Sequence, residues 1–303
     1  MEDLTQRLSA MQEIREAEAL ENEKKMYAEQ QMEFWPDDFR SAPNTVVRCA
    51  MFSTAKVQEP RLIYKELLIA SQGNDEIYYT GEELDQQDFN TWVAVLQLYR
   101  ERRMDSVITR KAIELINAIG LKKSGTAYAD LEKRLQRLAF NRVDIYSEVR
   151  SKRRLVFFGS LIQSVTLSED GTYWAIKLEP RLKALFSGGS TWVNWKIRKR
   201  LGRKALPLWL HGYYRSHFDP YPITIKKLQE LTGTGTKDIR AFRQAVKRAL
   251  SDLQSACAAE GVVFEWKHIP AATNKTKSAG GDLIEFNWIT RESHQAIPNP
   301  RNG

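Results

Sequence analysis

The sequence predicts an α+β fold in which three helices followed by a β-hairpin occur twice in tandem, behind an N-terminal helical arm. Three observations carry this. Caps and apolar stripes mark helices at 81–102, 110–119 and 125–139, then at 203–217, 225–231 and 236–258. Alternating apolar strings follow each set. A Ser187-Gly188-Gly189-Ser190 break separates the sets. Helix, helix, helix, strand, turn, strand is the order of a winged helix, a helix-turn-helix with a hairpin attached. The expected divisions are an acidic, partly disordered helical arm at 1–34, a first winged helix at 35–186, a second at 187–292 and a disordered tail at 293–303.

Residues 1–33 lack Gly and Pro and are dominated by good helix formers, with a short apolar stripe at Leu4, Leu8, Met11 and Ile14. Trp35-Pro36-Asp37-Asp38 breaks the arm, because a residue before proline avoids helix. Val46-Val47, Leu62-Ile63 and Ile77-Tyr78-Tyr79 predict short strands. Thr80-x-x-Glu83 reads as a capping box for the 81–102 helix, Thr109 as the cap of the next and Ser124 as the cap of the third, with Gly120 as a stop. Strands are expected at 142–149, 155–166 and 172–178, and the turn Ser151-Lys152-Arg153-Arg154 is the expected wing. In the second half, Asp219-Pro220-Tyr221-Pro222 ends a helix, Thr224 caps a short one, and Gly233-Thr234-Gly235 turns into the long helix. Strands at 261–268 and 283–289 flank a polar loop. The repeat lies in the order of elements and not in the residues.

The net charge is +8 from 46 Lys and Arg against 38 Asp and Glu. Nine acidic and four basic side chains give residues 1–34 a net −5, so residues 35–303 carry +13. A body so charged suits a polyanion. Two distant cysteines without a CxxC partner predict reduced thiols in a cytoplasm, with no zinc site or disulfide framework. No run of about 18 apolar residues predicts a membrane span, and the acidic N-terminus lacks the apolar core of a signal peptide.

A reading helix needs one apolar face for its core and one cationic or polar face for a groove. At roughly 100° per residue, Ile239, Phe242, Val246, Ala249, Leu250 and Leu253 share one arc. Lys237, Arg240, Gln244, Lys247 and Arg248 share the neighbouring one, with Arg243 at its edge. Arg and Gln can bond base edges bidentately, and clustered cations release counterions from phosphates. An ordinary solvated amphipathic helix carries a similar pattern; the short helix and glycine turn before this one favour DNA reading. The matching helix of the first half, 124–138, offers Lys133 and Arg137 together with Asp130, which repels phosphate. Lys152, Arg153 and Arg154 in the first wing, and Lys275 and Lys277 in the second loop, are further candidate phosphate contacts. The basic stretch from Lys196 to Lys204 either touches phosphates between two half-sites or simply starts a helix.

The chemistry of a nickase, NTPase or hydrolase has no matching pattern. His211, His217, His268 and His294 include no His-x-His pair, no GxxxxGK[ST] occurs, and Gly-x-Ser-x-Gly and His-Glu-x-x-His are missing. A non-enzymatic protein without cofactors or metal is expected.

Several strings of low composition bias carry a resemblance: Trp35-Pro-Asp-Asp-Phe-Arg-Ser-Ala-Pro-Asn44, Arg48-Cys-Ala-Met-Phe-Ser-Thr54 and Ile77-Tyr-Tyr-Thr-Gly-Glu-Glu-Leu84, then Leu185-Phe186, Trp195-x-x-Arg198-Lys199 and Pro220-Tyr-Pro222. Over about Trp35 to Trp288 the chain resembles the TrfA-type plasmid replication initiator proteins. The resemblance implies a tandem winged-helix initiator that binds repeated double-stranded sites, or iterons, in a plasmid origin. It implies help in opening neighbouring DNA, recruitment of host DnaA, the replicative helicase and the sliding clamp, and monomer–dimer self-association. The family's clamp-binding pattern is Gln, Leu, Ser or Asp, Leu, Phe; Gln31, Met32, Phe34 and Trp35 match it in character. Packing of Phe34 and Trp35 onto the body is the other reading of that segment. A winged-helix repressor of its own operon is the alternative function; the acidic arm and its clamp-like segment favour the initiator.

Overall fold

The computed structural model describes Met32, 34–56, 60–149, 152–218, 220–271 and 281–289. The arm helix, Gln31, the loop lysines Lys275 and Lys277, and the 293–303 tail lie outside the described residues. Two apolar cores organise what remains. The first runs from Met32 to Trp195, the second from Ile197 to Phe286.

The first core is built around one helix. Strand β1 (Phe39–Pro43), helical turn α1 (Asn44–Val47) and strands β2 (Phe52–Ser53), β3 (Ile63–Ile69), β4 (Glu76–Glu82) and β5 (Leu84–Asp85) lead into α2 (Gln86–Leu98). Val46-Val47 therefore forms a helical turn where a strand is expected. Helix α2 is apolar nearly all round, with Phe89, Trp92, Val93, Ala94, Val95 and Leu96 buried, as befits a helix enclosed by its neighbours. Its true capping box is Asp85 with Asp88. Thr80 and Glu83 fail as a box because Thr80 still lies in β4 and the Glu83 carboxylate accepts a hydrogen bond from Ser53.

Then come β6 (Val107–Lys111), α3 (Ala112–Ala118) and α4 (Gly125–Ala139). Thr109 sits inside β6 and caps nothing, whereas Ser124 Oγ accepts the Ala127 N–H at 3.1 Å as expected. Four strands follow: β7 (Arg142–Val149), β8 (Lys152–Gly159), β9 (Ser164–Leu167) and β10 (Tyr173–Lys177). They divide between two sheets. One has the order β6-β10-β9, the other β3-β4-β7-β8. The hairpin that completes the helix-turn-helix is β9–β10, and its turn holds Glu169 and Asp170. The expected wing at 151–154 belongs instead to an inserted hairpin, β7–β8, that extends β3 and β4. The expected strand 155–166 breaks at Gly159, whose φ of +148° disfavours any other residue.

After α5 (Lys183–Phe186), β11 (Ser190–Asn194) returns to pair with β1. The Ser187–Ser190 break thus lies within the first half, and the cores part inside α6 (Trp195–Leu201). The second half is α7 (Ala205–Arg215), β12 (Ile223–Thr224), α8 (Ile225–Leu231), α9 (Ile239–Ala258), β13 (Val263–Ile269) and β14 (Leu283–Ile289). Its sheet order, β12-β14-β13, repeats that of β6-β10-β9. Thr224 Oγ1 caps α8 at 3.1 Å from the Lys227 nitrogen.

The halves are joined by polar bonds across an apolar seam. Trp209 Nε1 donates to the Cys49 carbonyl at 3.2 Å, the Thr54 N–H to the Thr232 carbonyl at 2.8 Å, and Arg48 Nε to Ser216 Oγ at 2.9 Å. Arg198, 2% exposed, reaches from α6 to Asn90 Oδ1 at 2.7 Å, Gln86 Oε1 at 3.2 Å and the Leu208 carbonyl at 2.9 Å. Its guanidinium also lies 4.8 Å from the centre of the Phe89 ring. Burial pulls this arginine down to about 9, which still leaves it charged near neutrality.

Candidate nucleic-acid interface

Helix α9 separates its two faces as a reading helix requires. Phe242, Val246, Ala249, Leu250 and Leu253 are buried. Asp238 caps the helix, its carboxylate accepting the Arg240 and Ala241 N–H groups at 3.0 and 3.3 Å. Lys237, Arg240, Gln244 and Arg248 are exposed and Lys247 is half-buried. Gly233, in the turn from α8, takes φ +58° and packs against Ala50 and Ser53, so the turn into this helix is seated on the first half.

Arg243 does not join that face. It forms an ion pair with Asp282 at the foot of β14. Asp282 Oδ2 also lies 3.3 Å from His268 Nε2, and Oδ1 accepts the Ala271 N–H at 2.8 Å. Burial alone would raise the Asp282 carboxyl, but the Ala271 N–H, His268 and Arg243 hold it below the usual carboxylate range.

The first half presents less charge. Lys133 is exposed on α4. Arg137 is expected to point outward from the same helix and instead turns inward, with Nη2 2.8 Å from Oδ1 of the buried Asp88. Lys152, Arg153 and Arg154 are exposed on β8, away from the helix-turn-helix hairpin. Arg153 is bonded to Glu76 at 3.0 Å and stacks over the Tyr146 ring at 3.5 Å. The basic stretch from Lys196 to Lys204, in and just after α6, is largely spent within the molecule. Lys196 pairs with Asp38, Arg200 with Glu260 and Lys204 with Asp252, while Arg203 lies 3.7 Å from Asp130.

Of the clamp-like segment, the described residues Met32 and Trp35 are folded onto the first core. Met32 and Trp35 are 3% and 1% exposed. The Met32 N–H donates to the Arg102 carbonyl at 3.0 Å, and Trp35 Nε1 donates to Gln97. Phe34 is 58% exposed beneath the Arg100 guanidinium, 5.2 Å from it.

Two helix-turn-helix units with attached hairpins, the second carrying a cationic third helix, define a tandem winged-helix protein. Domains 2 and 3 of RctB superpose on 81% of this chain and 97% of their own length at a TM-score of 0.52; at 14% identity the likeness shows the fold alone. A second crystal structure of those domains covers 78% of this chain and 94% of its own at 0.46 and 14% identity. The plasmid replication initiator protein TrfA of Escherichia coli is 25% identical over 263 residues, covering 84% of this chain and 68% of that protein. The TrfA protein family model matches residues 2–267, and the chain belongs to that family of plasmid replication initiators.

Proposed function

We propose that this protein binds repeated double-stranded sites, iterons, in a plasmid origin through α9, helps open the adjacent DNA and recruits host DnaA, the replicative helicase and the sliding clamp. The observation that carries the reading is the face of α9, where Arg240, Gln244, Lys247 and Arg248, with Lys237 just before the N-cap, stand opposite a fully apolar side. Arg240 and Gln244 have the donor geometry to read base edges, while the lysines and Arg248 neutralise phosphates. Lys275 and Lys277 add phosphate contacts from the second wing, and Lys133, with Lys152, Arg153 and Arg154, weaker ones from the first half. Arg137 and Arg243 leave this contact set because their charges are engaged by Asp88 and Asp282.

No catalysis is part of the proposal, and the site of action is the cytoplasm. Self-association between monomer and dimer belongs to it as a control on origin binding. Clamp binding through Gln31, Met32, Phe34 and Trp35 requires the segment to leave the first core, since two of its apolar anchors are buried there. Among the described residues no helix is long and apolar enough to cross a membrane.

Footprinting on the origin region of the protein's own plasmid, against an unrelated duplex, tests the reading. Protection of direct repeats spaced by about one or two helical turns is the expected result. Diffuse or absent protection refutes sequence-specific binding.

A further inference from the structure

We infer that Asp282 is a positioning residue that sets the reading helix of the second winged helix against its hairpin and thereby fixes sequence selectivity. The inference rests on the DNA-binding reading above and adds a residue that touches no DNA in it.

Asp282 stands where four elements meet. Its side chain pairs with Arg243 from α9, approaches His268 from β13 at 3.3 Å and accepts the N–H of Ala271 just beyond β13 at 2.8 Å. Its main-chain carbonyl accepts the Ile225 N–H at 3.0 Å, at the start of α8. One residue thus ties together the two helices of the helix-turn-helix and both strands of the hairpin. The core beneath holds α9 through the apolar contacts of Phe242, Val246 and Leu250, which carry no charge and no hydrogen bond to set the helix's rotation. The Arg243–Asp282 pair opposes a roll about the helix axis, because turning α9 would draw apart two opposite charges held in close contact.

The placement of Arg243 makes the pair matter for recognition. It lies between Arg240 and Gln244, the two residues with bidentate reach to base edges. Those contacts demand alignment within a fraction of an ångström, and a roll of α9 moves both together. A carboxylate beside a phosphate-binding face would ordinarily repel the ligand. Here the charge is turned inward, 10% exposed, and met by a cation. Arg243 itself is 33% exposed, so solvent weakens the pair, and the Asp282 side chain keeps His268 and the Ala271 N–H beside it when Arg243 is lost. Loss of the pair should therefore leave the protein folded while loosening its reading.

The test begins with duplexes selected from a randomised library by the wild-type protein. Affinities for the selected duplex and for a scrambled duplex of equal composition are then measured at one salt concentration. The proteins are wild type, Asp282→Asn, Arg243→Met and the double variant, each checked by thermal melting. The expected result is a fall of about 10-fold or more in the selected-to-scrambled ratio for each single variant, comparable to a mismatched base pair. Melting should be nearly unchanged, and the double variant should lose no more than the larger of the two single losses, since both changes remove the Arg243–Asp282 contact. An unchanged ratio, an equal loss on both duplexes, or additive losses in the double variant overturns the inference. Selection of no sequence by the wild type would instead sink the DNA-reading proposal on which it stands, so the two failures are distinct.

Discussion

Replacing Gly233 by alanine tests how firmly the turn before α9 is seated. The backbone there takes φ +58°, the left-handed region, which costs an L-residue about 1–2 kcal/mol. A Cβ at this position would also lie 3.1 Å from the Ser53 Cβ, 3.2 Å from the Ala50 carbonyl oxygen and 3.3 Å from the Ala50 Cβ. None of these is the end of a flexible side chain, so the loop or the neighbouring half must shift. Stiffening of the unfolded chain returns roughly 0.4–1 kcal/mol. The net expectation is a loss of about 2–3 kcal/mol, and a fall of roughly 1 M in the urea midpoint for an m-value of ordinary size. Urea unfolding followed by tryptophan fluorescence measures it. Gly235→Ala is the control: its Cβ would have only the Ala55 Cβ nearby, at 4.0 Å, and no positive φ to sustain. It should fall within about 0.5 kcal/mol of wild type. Equal effects of the two substitutions, or none from the first, would refute the claim that Gly233 is confined by the first half.

Arg240→Ala should cost about 1–3 kcal/mol on the selected duplex and far less on a scrambled one, as read by fluorescence anisotropy. Raising salt from about 50 to 200 mM should weaken binding by some 10³- to 10⁵-fold if 6–10 phosphates are neutralised, and a flat salt response would count against a phosphate-dominated interface. His211 is fully buried, and burial together with Arg198 and Arg215 holds its pKa well below the usual value. Its folded state therefore binds fewer protons than the unfolded chain. Stability should be level above about pH 6.5 and decline as pH falls below it, and His211→Leu should flatten that slope in pH-dependent denaturation. Trp35→Ala should destabilise the protein by about 3–5 kcal/mol, whereas Phe34→Ala should change thermal melting little.

Local chemistry was legible in the sequence and remote pairing was not. Ser124 and Thr224 cap helices as read, because a cap is decided within three residues. Thr80 and Thr109 misled for the same reason: each has a cap's composition, but a neighbouring strand claims its backbone. The face of α9 could be drawn from periodicity alone. The inward turns of Arg137 and Arg243 could not, since Asp88 and Asp282 are far away in the chain. The first wing was misplaced because four strands follow α4, and nothing local says that β7 and β8 pair with β3 and β4. The one local signal of the break is Gly159-Ser160 inside the alternating string 155–166.

Helix α6 places Trp195 in one core and Ile197 in the other, with Arg198 closing the seam between them. It is a party wall, and a party wall cannot be assigned to either house. A fragment ending before β11 would leave β1 without its partner strand, and one beginning after α6 would leave α7 without its neighbour. Excising either winged helix to study it alone would therefore yield a damaged object, and its failure to bind DNA would say nothing about the intact protein. The same sharing predicts a single unfolding transition for the two halves in calorimetry. Exchange of one half between relatives would succeed only where α6 and the residues that receive Arg198, Asn90 and Gln86, travel as a set.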